Sequence, residues 1–298
     1  MVAKKETLAK NSLAQRRVGK LSKKDPVMSV GMLTKELAKI FPVEDGEAWD
    51  RNGLIVGDPA AFVTRIAFAL DPTVAAIREA KAKGANVLLT HHPVFLNAPD
   101  SFLPGDSDML CSGAGIFAAI ENQVALINFH TPLDASKNAS RILPELLNLE
   151  LKSILQPFDK DSRKGYGQIC HTKTSEAALT LGQLGARCTS VFSRPPRVWG
   201  DFSKNISTIV TGSGSGGDLL KDCLSLSVDC LVCGEIRYHD ALSASEAGLC
   251  LIELGHDISE LPLVAVLIQA VESIGFSEEK LVVIDQGNNW NYPETVRI

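Results

Sequence analysis

The sequence predicts an α/β protein made of two similar halves with mixed, largely parallel sheets. Short apolar runs of strand length alternate along the chain with segments whose apolar residues recur at helical spacing. That alternation is typical of parallel strands joined by crossover helices. The second half repeats the order of elements of the first, and residues of the types that bind ligands follow strands in both halves.

The first half starts with an amphipathic helix, because Met32, Leu33, Leu37 and Ile40 lie on one side of it. Gly84 ends the second helix, and short apolar runs flank the helices. We therefore predict helices over 30–40, 74–83 and 116–122, and strands over 66–70, 87–90 and 124–128.

The second half contains the same kinds of element in the same order. It is predicted to hold a strand over 206–211, a glycine-rich loop over 212–217, a helix over 218–226, and strands over 230–233 and 249–254. Two stretches rich in polar, glycine or proline residues, 156–167 and 193–199, are predicted to be a loop and an irregular segment. Neither is long enough to link separate domains.

Charge is unevenly distributed along the chain. Residues 1–27 carry eight Lys and Arg against two acidic residues, a net charge of +6, and the remainder carries 22 against 33, a net charge of −11. The acidic body argues against general nucleic-acid binding, which needs phosphate neutralisation. We predict that 1–27 is a disordered extension; a nucleic-acid-binding arm and a mitochondrial transit peptide are the alternatives. The halves 28–138 and 139–298 are predicted to pack as one body.

Hydropathy and cysteine content indicate the compartment. The longest nearly apolar run, 261–271, is shorter than the ~20 residues of a membrane span. No apolar segment near the N-terminus has the pattern of a secretory signal. Seven cysteines, an odd number, favour free thiols in a reducing compartment over a disulfide scaffold. We therefore expect a cytoplasmic protein without membrane contact.

Four of the six histidines lie in three short segments that each follow an apolar strand. The segments are Thr90-His91-His92-Pro93, Asn128-Phe129-His130-Thr131-Pro132-Leu133-Asp134 and Gly255-His256-Asp257-Ile258-Ser259-Glu260. Open α/β sheets bind ligands at the carboxyl ends of their strands. The joint placement of imidazoles and carboxylates predicts a metal site there, and such a ligand set without cysteine suits Zn, Mn, Fe or Co.

The third segment also permits a purely structural interpretation. Asp257 and Glu260 have the spacing of a capping box at a helix N-terminus. Pro262 is tolerated only in a first helical turn, which favours Ser259 as the N-cap and Glu260 as the first helical residue. Glu260 would then be available to bind a ligand.

Two further motifs have competing interpretations. The loop 212–217 satisfies the pattern G-x-G-x-x-G, which we interpret as a cradle of N–H groups for a phosphate or as a plain strand–helix turn, rather than as an NAD site. Cys230 and Cys233 form a C-x-x-C motif inside an apolar strand without a second pair, so we interpret them as buried structural residues.

Several motifs occur in the order found in one known family. They are Trp49-Asp50-Arg51-Asn52-Gly53-Leu54-Ile55-Val56-Gly57-Asp58, Leu70-Asp71-Pro72, the three histidine segments, and Gly234-Glu235-Ile236-Arg237-Tyr238-His239-Asp240-Ala241. Over residues 28–298 the chain resembles the NGG-interacting-factor-3-like family, whose members often carry the name GTP cyclohydrolase 1 type 2 homologue. The family's second segment reads His-Thr-Asn-Leu-Asp, whereas this chain has Pro132 in place of the asparagine.

The resemblance implies a dinuclear metal site between the two halves and a ring-shaped homohexamer. Carried over by motif, the ligands of two divalent ions would be His91, His92, Asp134, His256 and Glu260, with Glu260 bridging the ions. The resemblance also implies that His130 is an additional ligand or a residue that supports a ligand, and that His239 is a neighbouring acid/base group.

Three function classes fit these observations. The leading hypothesis is a metal-dependent hydrolase acting on a small nucleotide- or phosphate-containing substrate, with His130 or His239 moving protons. A cyclohydrolase that opens a guanine ring is the second class. The alternative to an enzyme is a non-catalytic metal-binding or partner-binding regulatory protein.

Overall fold

The computed structural model describes residues 25–104, 113–173 and 179–290. The strands in these ranges are β1 (Gly53–Val56), β2 (Ile66–Ala69), β3 (Val87–Thr90), β4 (Ala125–Asn128), β5 (Leu149–Phe158), β6 (Asp161–Thr172), β7 (Leu179–Thr180), β8 (Arg197–Trp199), β9 (Asn205–Ile206), β10 (Thr208–Thr211), β11 (Cys230–Cys233), β12 (Cys250–Glu253) and β13 (Leu281–Val283). The helices are α1 (Val30–Ile40), α2 (Val74–Ala82), α3 (Ala114–Asn122), α4 (Thr131–Asp134), α5 (Ile142–Leu146), α6 (Leu181–Phe192), α7 (Leu220–Ser225), α8 (Tyr238–Glu246), α9 (His256–Glu260) and α10 (Leu263–Ile274).

The chain divides into two compact units, each with its own main sheet. The five-stranded unit comprises the described residues within 20–40, 49–129 and 267–298. The six-stranded unit comprises those within 41–48 and 130–266, and it also holds the short sheet formed by β7 and β9. Both ends of the described chain therefore belong to the five-stranded unit.

The sheet of the five-stranded unit has the order β1-β4-β3-β2-β13. Strands β13, β2, β3 and β4 run parallel, and β1 pairs antiparallel with β4. β2, β3 and β4 are buried over their whole length, as expected of parallel strands covered on both faces. Ile77 and Ala80 of α2 and Ala118 of α3 join Leu88 and Leu126 of the sheet in one core.

The sheet of the six-stranded unit has the order β5-β6-β10-β11-β12-β8. Its central strands β10, β11 and β12 run parallel, and antiparallel pairs flank them on both sides. Because side chains alternate between the faces of a strand, Cys230 and Val232 of β11 pack into the core that contains α6, whereas Leu231 packs into a second core with Ala241 of α8.

The predicted fold class is confirmed. The order β2-α2-β3-α3-β4 in one unit is repeated as β10-α7-β11-α8-β12 in the other, and in each case the three strands lie side by side in parallel. Both sheets are mixed, as expected. None of the helices in the described part of the chain is long and apolar enough to cross a membrane.

The loop predicted over 156–167 is wrong, because β5 and β6 form a long antiparallel hairpin there. Its polar residues lie at exposed or half-buried positions, where apolar periodicity gives no signal, and backbone pairing joins the two strands. A Cβ at Gly165 (φ +132°) would lie 2.0 Å from the carbonyl oxygen of Gln156, so glycine permits this close pairing. The segment predicted as irregular over 193–199 also ends in a strand, β8.

Candidate metal centre

His91 and His92 lie directly beyond the end of β3. The backbone turns away from strand geometry there, because the N–H of His92 donates to the carbonyl of Leu70 (3.0 Å) and the hydroxyl of Thr90 donates to the carbonyl of His92 (2.7 Å). The two imidazole rings consequently lie side by side, with centroids 4.8 Å apart, instead of pointing to opposite faces of a strand.

Protein oxygens hold the Nδ1 atoms of both rings. Nδ1 of His92 lies 2.7 Å from Oδ1 of Asp71, and Nδ1 of His91 lies 3.3 Å from the carbonyl oxygen of Phe129. A histidine held at Nδ1 in this way presents Nε2 as its ligand atom, which is the usual arrangement around metal-binding histidines. Packing fixes the ring of His91 further, because this residue is fully buried.

A side chain from the far end of the chain fixes Asp71. Oε1 of Gln286 accepts the N–H groups of Leu70 (2.9 Å) and Asp71 (3.0 Å), and its Nε2 donates to the carbonyl of Asp71 (2.9 Å). Gln286 follows β13, the neighbour of β2 in the sheet. Its three hydrogen bonds restrict the positions from which the Asp71 carboxylate reaches His92.

His256 and Glu260 occupy the two ends of α9, one helical turn apart and hence on one face. Nε2 of His256 lies 3.1 Å from Oε2 of Glu260, and its Nδ1 lies 3.1 Å from Oε1 of Glu235. The Glu260 side chain is only 4 % exposed. An ionised carboxylate is costly to bury unless cations or hydrogen-bond donors compensate for the lost water.

The glycine-rich loop 212–217 packs against Glu260. A Cβ at Gly214 (φ +62°) would lie 2.2 Å from Oε1 of Glu260, so glycine is needed for both the backbone conformation and the close approach. The N–H of Gly214 donates to Oγ of Ser259 (2.9 Å), which ties the loop to α9.

The same loop joins β10 to the helical segment that follows it, and it uses several of its N–H groups within its own unit. A cradle directs its N–H groups at the ligand, whereas the N–H groups of Gly212 and Gly216 donate to the carbonyls of Val232 (2.9 Å) and Glu235 (3.0 Å). Because these donors are used within the loop's own unit, the structure favours the strand–helix turn, and the phosphate cradle stays a prediction.

Asp134 ends α4, the four-residue helix that begins directly after His130. Pro132 is the second residue of this helix, where a missing N–H is tolerated, so the substitution for the family's asparagine leaves the turn intact. The Pro132 ring packs on Gly46, where a Cβ would lie 2.8 Å from the proline Cγ. Oγ of Ser213 donates to Oδ1 of Asp134 (3.3 Å), so the glycine-rich loop contacts both Asp134 and Glu260.

The helix start predicted at Ser259 is wrong, and so is the capping box. α9 begins at His256, and a separate helix, α10, begins after Pro262. Oγ of Ser259 donates to the carbonyl of His256 (2.8 Å). Both terminal nitrogens of Arg194 donate to Asp257 (2.7 and 2.9 Å), which takes this carboxylate away from any capping role. The proline separates two helices instead of standing inside the first turn of one.

His239 lies on α8 at an exposed position, with its ring centroid 5.2 Å from that of Tyr238.

Cys230 and Cys233 are fully buried on β11, and burial raises the pKa of both thiols well above the ordinary value. A protonated thiol is a poor metal ligand and nucleophile. These observations support the structural interpretation of the C-x-x-C motif.

Side chains of the types that hold a metal ion lie in both units of the described chain. They are His91 and His92 in the five-stranded unit, and His130, Asp134, His256 and Glu260 in the six-stranded unit. They include all five ligands implied by the family resemblance and one of the two proton-transfer candidates; His239 is not a member.

A family model described as Duf34/NIF3 (NGG1p interacting factor 3) matches residues 28–289. The chain belongs to this family. A curated relative of the Duf34/NIF3 protein is the GTP cyclohydrolase 1 type 2 homolog of Clostridium perfringens, 32% identical over 248 residues that cover 83% of this chain and 91% of the relative. A Helicobacter pylori protein named GTP cyclohydrolase 1 type 2 is 24% identical over 253 residues, which cover 85% of this chain and 94% of that protein.

Solved structures share the fold of this Duf34/NIF3 protein. Staphylococcus aureus protein SA1388 matches with a TM-score of 0.78 and 23% identity, over 90% of this chain and 100% of that one. A Bacillus cereus protein related to NIF3 matches with a TM-score of 0.76 and 18% identity, over 90% and 98% of the two chains. At these identities the likeness establishes the fold alone.

The sequence analysis missed the residues that support the histidines. Asp71 precedes His92 by 21 residues, and Glu235 precedes His256 by the same 21 residues. In each pair the carboxylate follows one parallel strand and the histidine follows the next, and these strand ends meet at one sheet edge. This repeated spacing is a signal that could have found both supports; no local pattern points to Gln286.

Proposed function

We propose that this Duf34/NIF3 protein binds two divalent metal ions and hydrolyses a small nucleotide- or phosphate-containing substrate. The observation that carries the proposal is the orientation of three histidines. His91, His92 and His256 each place Nδ1 against a protein oxygen. A histidine held in this way offers Nε2 to a metal with its tautomer fixed.

The buried carboxylate of Glu260 also fits a cation. With 4 % of its side chain exposed, it has little water to stabilise its charge. We assign Glu260 as the ligand shared by both ions and Asp134 as a ligand of one of them. The glycine at position 214 supports this role because it lets the carboxylate sit against the loop.

Five proposed ligands exceed the four of a tetrahedral zinc site, which supports two ions rather than one. Histidine with carboxylate suits Zn, Fe, Mn or Co. When bound, two divalent ions stabilise the negative charge that develops on a phosphoryl or carbonyl oxygen during hydrolysis.

Histidines outside the ligand set are proposed to move protons. His130 is the first choice because it stands two residues beyond β4 and one turn before Asp134. His239, exposed on α8, is the second. The homohexamer, the cytoplasmic location and the boundary between residues 138 and 139 stay predictions.

Elemental analysis of protein purified without chelator tests the metal proposal. We expect about two divalent ions per chain, as in two-metal hydrolases; one ion or fewer after reconstitution would contradict the dinuclear site. Metal-loaded protein is then screened against phosphate esters and nucleotides, with GTP included because of the relatives' names. His91→Ala is expected to abolish turnover, and His171→Ala, which alters an exposed histidine on β6, is expected to retain it.

Hydrolysis and metal binding are separable outcomes of this screen. Two bound ions without turnover of any ester or nucleotide would favour the non-catalytic metal-binding alternative. Turnover that survives His91→Ala would place the reaction at another site.

A further inference from the structure

Three aromatic rings form a contiguous surface on the six-stranded unit, which we call the ring surface: Trp199, Tyr238 and His239. The centroids of Trp199 and Tyr238 are 5.8 Å apart, and those of Tyr238 and His239 are 5.2 Å apart. Tyr238 is 58 % exposed, although aromatic side chains gain stability from burial. Its hydroxyl donates to no other residue in the described part of the chain. The surface therefore exposes a large ring together with a polar tip.

The buried carboxylate of Glu253 holds the ring surface in position through hydrogen bonds. Glu253 accepts hydrogen bonds from the indole Nε1 of Trp199 (2.7 Å), two guanidinium nitrogens of Arg197 (2.8 and 2.5 Å) and the N–H of Ile236 (3.0 Å). Four bonds to one buried carboxylate hold the indole and the segment that leads to Tyr238. Because the surface is already ordered, a ligand that stacks on it loses little free energy to rearrangement.

The ring surface lies close in sequence to a histidine support of the six-stranded unit. Glu235, which contacts Nδ1 of His256, stands only three residues before Tyr238. Arg237 lies between them with an exposed side chain that has no hydrogen-bond partner among the described residues. One short segment thus carries a positive charge and two aromatic rings together with the carboxylate that contacts His256.

We propose that the ring surface binds the planar heteroaromatic ring of a nucleoside phosphate and that Arg237 binds its phosphate. The proposal rests on the hydrolase function proposed above and adds where the ring of the substrate lies. Base–aromatic stacking tolerates any base because each has a π face. An arginine suits the phosphate because its planar fork of N–H donors matches the oxygens.

Calorimetric titration of the metal-loaded full-length protein tests the ring surface. The probes are guanosine 5′-monophosphate and ribose 5-phosphate, which carries a phosphate without a base; ligand recovered after each titration is checked to be intact. We expect Tyr238→Leu to weaken guanosine 5′-monophosphate binding about tenfold and to leave ribose 5-phosphate binding unchanged. Tyr238→Phe should restore binding of the nucleotide. Phe202→Leu, which alters another exposed aromatic residue of the same unit, is the matched control.

Several outcomes would overturn the proposal. One is unchanged nucleotide binding in Tyr238→Leu, and another is equal weakening of both probes. A smaller assembly of Tyr238→Leu on a sizing column would assign the surface to contacts between copies of the chain. Metal content is measured on every variant. If nucleotide binding depends on Tyr238 but the protein holds no ions and hydrolyses no substrate, the proposed function is overturned and the ring-surface proposal stands.

Discussion

The side chain of Glu260 is 4 % exposed, so the ionised form of its carboxyl group has little water to stabilise it. Glu260→Gln keeps the size of the side chain and removes the charge that would balance two cations. We expect this variant to lose both ions together in elemental analysis, with the melting temperature of the metal-free protein little changed. Loss of a single ion would contradict the bridging role, and full metal content in the variant would remove Glu260 from the ligand set.

A substitution at Gly214 tests whether the close approach of the glycine-rich loop positions the Glu260 carboxylate. In Gly214→Ala the new Cβ would lie 2.2 Å from Oε1 of Glu260, whereas a Cβ at Gly84 meets nothing within 4 Å. Both glycines have positive φ, +62° and +77°, so both variants share a backbone strain of about 1–2 kcal/mol. We expect about tenfold weaker metal affinity in Gly214→Ala alone, measured by competition with a chelator. The same affinity in both variants would show that the close approach is unimportant.

At the scale of secondary-structure elements, Gln286 joins the segment after β13 to the turn after β2. Gln286→Ala removes three hydrogen bonds from the backbone that carries Asp71, and therefore loosens the support of His92. We expect about tenfold weaker metal affinity, a typical effect of losing an outer support of a ligand. Gln269→Ala, at an exposed position of α10, is the control. A lower melting temperature with unchanged metal affinity would show that Gln286 stabilises the fold without supporting the metal ligand.

Asp229 links the start of β10 to the start of β11. Burial raises the pKa of its carboxyl, but the N–H groups of Thr208 and Ser207 and the Ser207 hydroxyl, each at 2.9 Å, lower it more. Because the folded-state pKa is depressed, the carboxylate contributes stability above its unfolded pKa of about 3.9, and this is lost as pH falls through the folded-state pKa. Urea unfolding of wild type and Asp229→Asn should differ at pH 7 and converge in acid; a difference that is constant with pH would contradict this.

Local sequence signals predicted the central strands and helices, because β2, β3 and β4 are buried on both faces and read as short apolar runs. The tip of the hairpin of β5 and β6 could not be predicted in this way, since the residues 159–164 are all polar and lie at exposed or half-buried positions. The histidine segments could be singled out because their residue types are rare and follow strands; that they bind metal stays a prediction. Gln286 was missed because it lies 215 residues from Asp71 in sequence.

At the scale of the whole molecule, N-terminal deletions test where the folded part of the chain begins. Residues 1–24 lie outside the described residues, whereas Oδ1 of Asp25 accepts the N–H of Ser277 (2.7 Å) and Met28 is buried. We expect deletion of 1–24 to leave melting temperature, metal content and elution volume unchanged. Deletion of 1–27 should lower the melting temperature, because it removes the Asp25 contact. Aggregation or a smaller assembly after the shorter deletion would show that the basic segment is part of the folded body.

The distribution of thiols has a practical consequence. The described cysteines all lie in the six-stranded unit and all are buried. Burial raises the pKa of Cys170, Cys188 and Cys223 to about 12, so in the folded protein they are protonated and shielded from alkylating reagents. Alkylation at these positions therefore records an opening of that unit alone. Mass spectrometry of the modified peptides would give the rate at which the six-stranded unit opens, and the native cysteines serve as the probes.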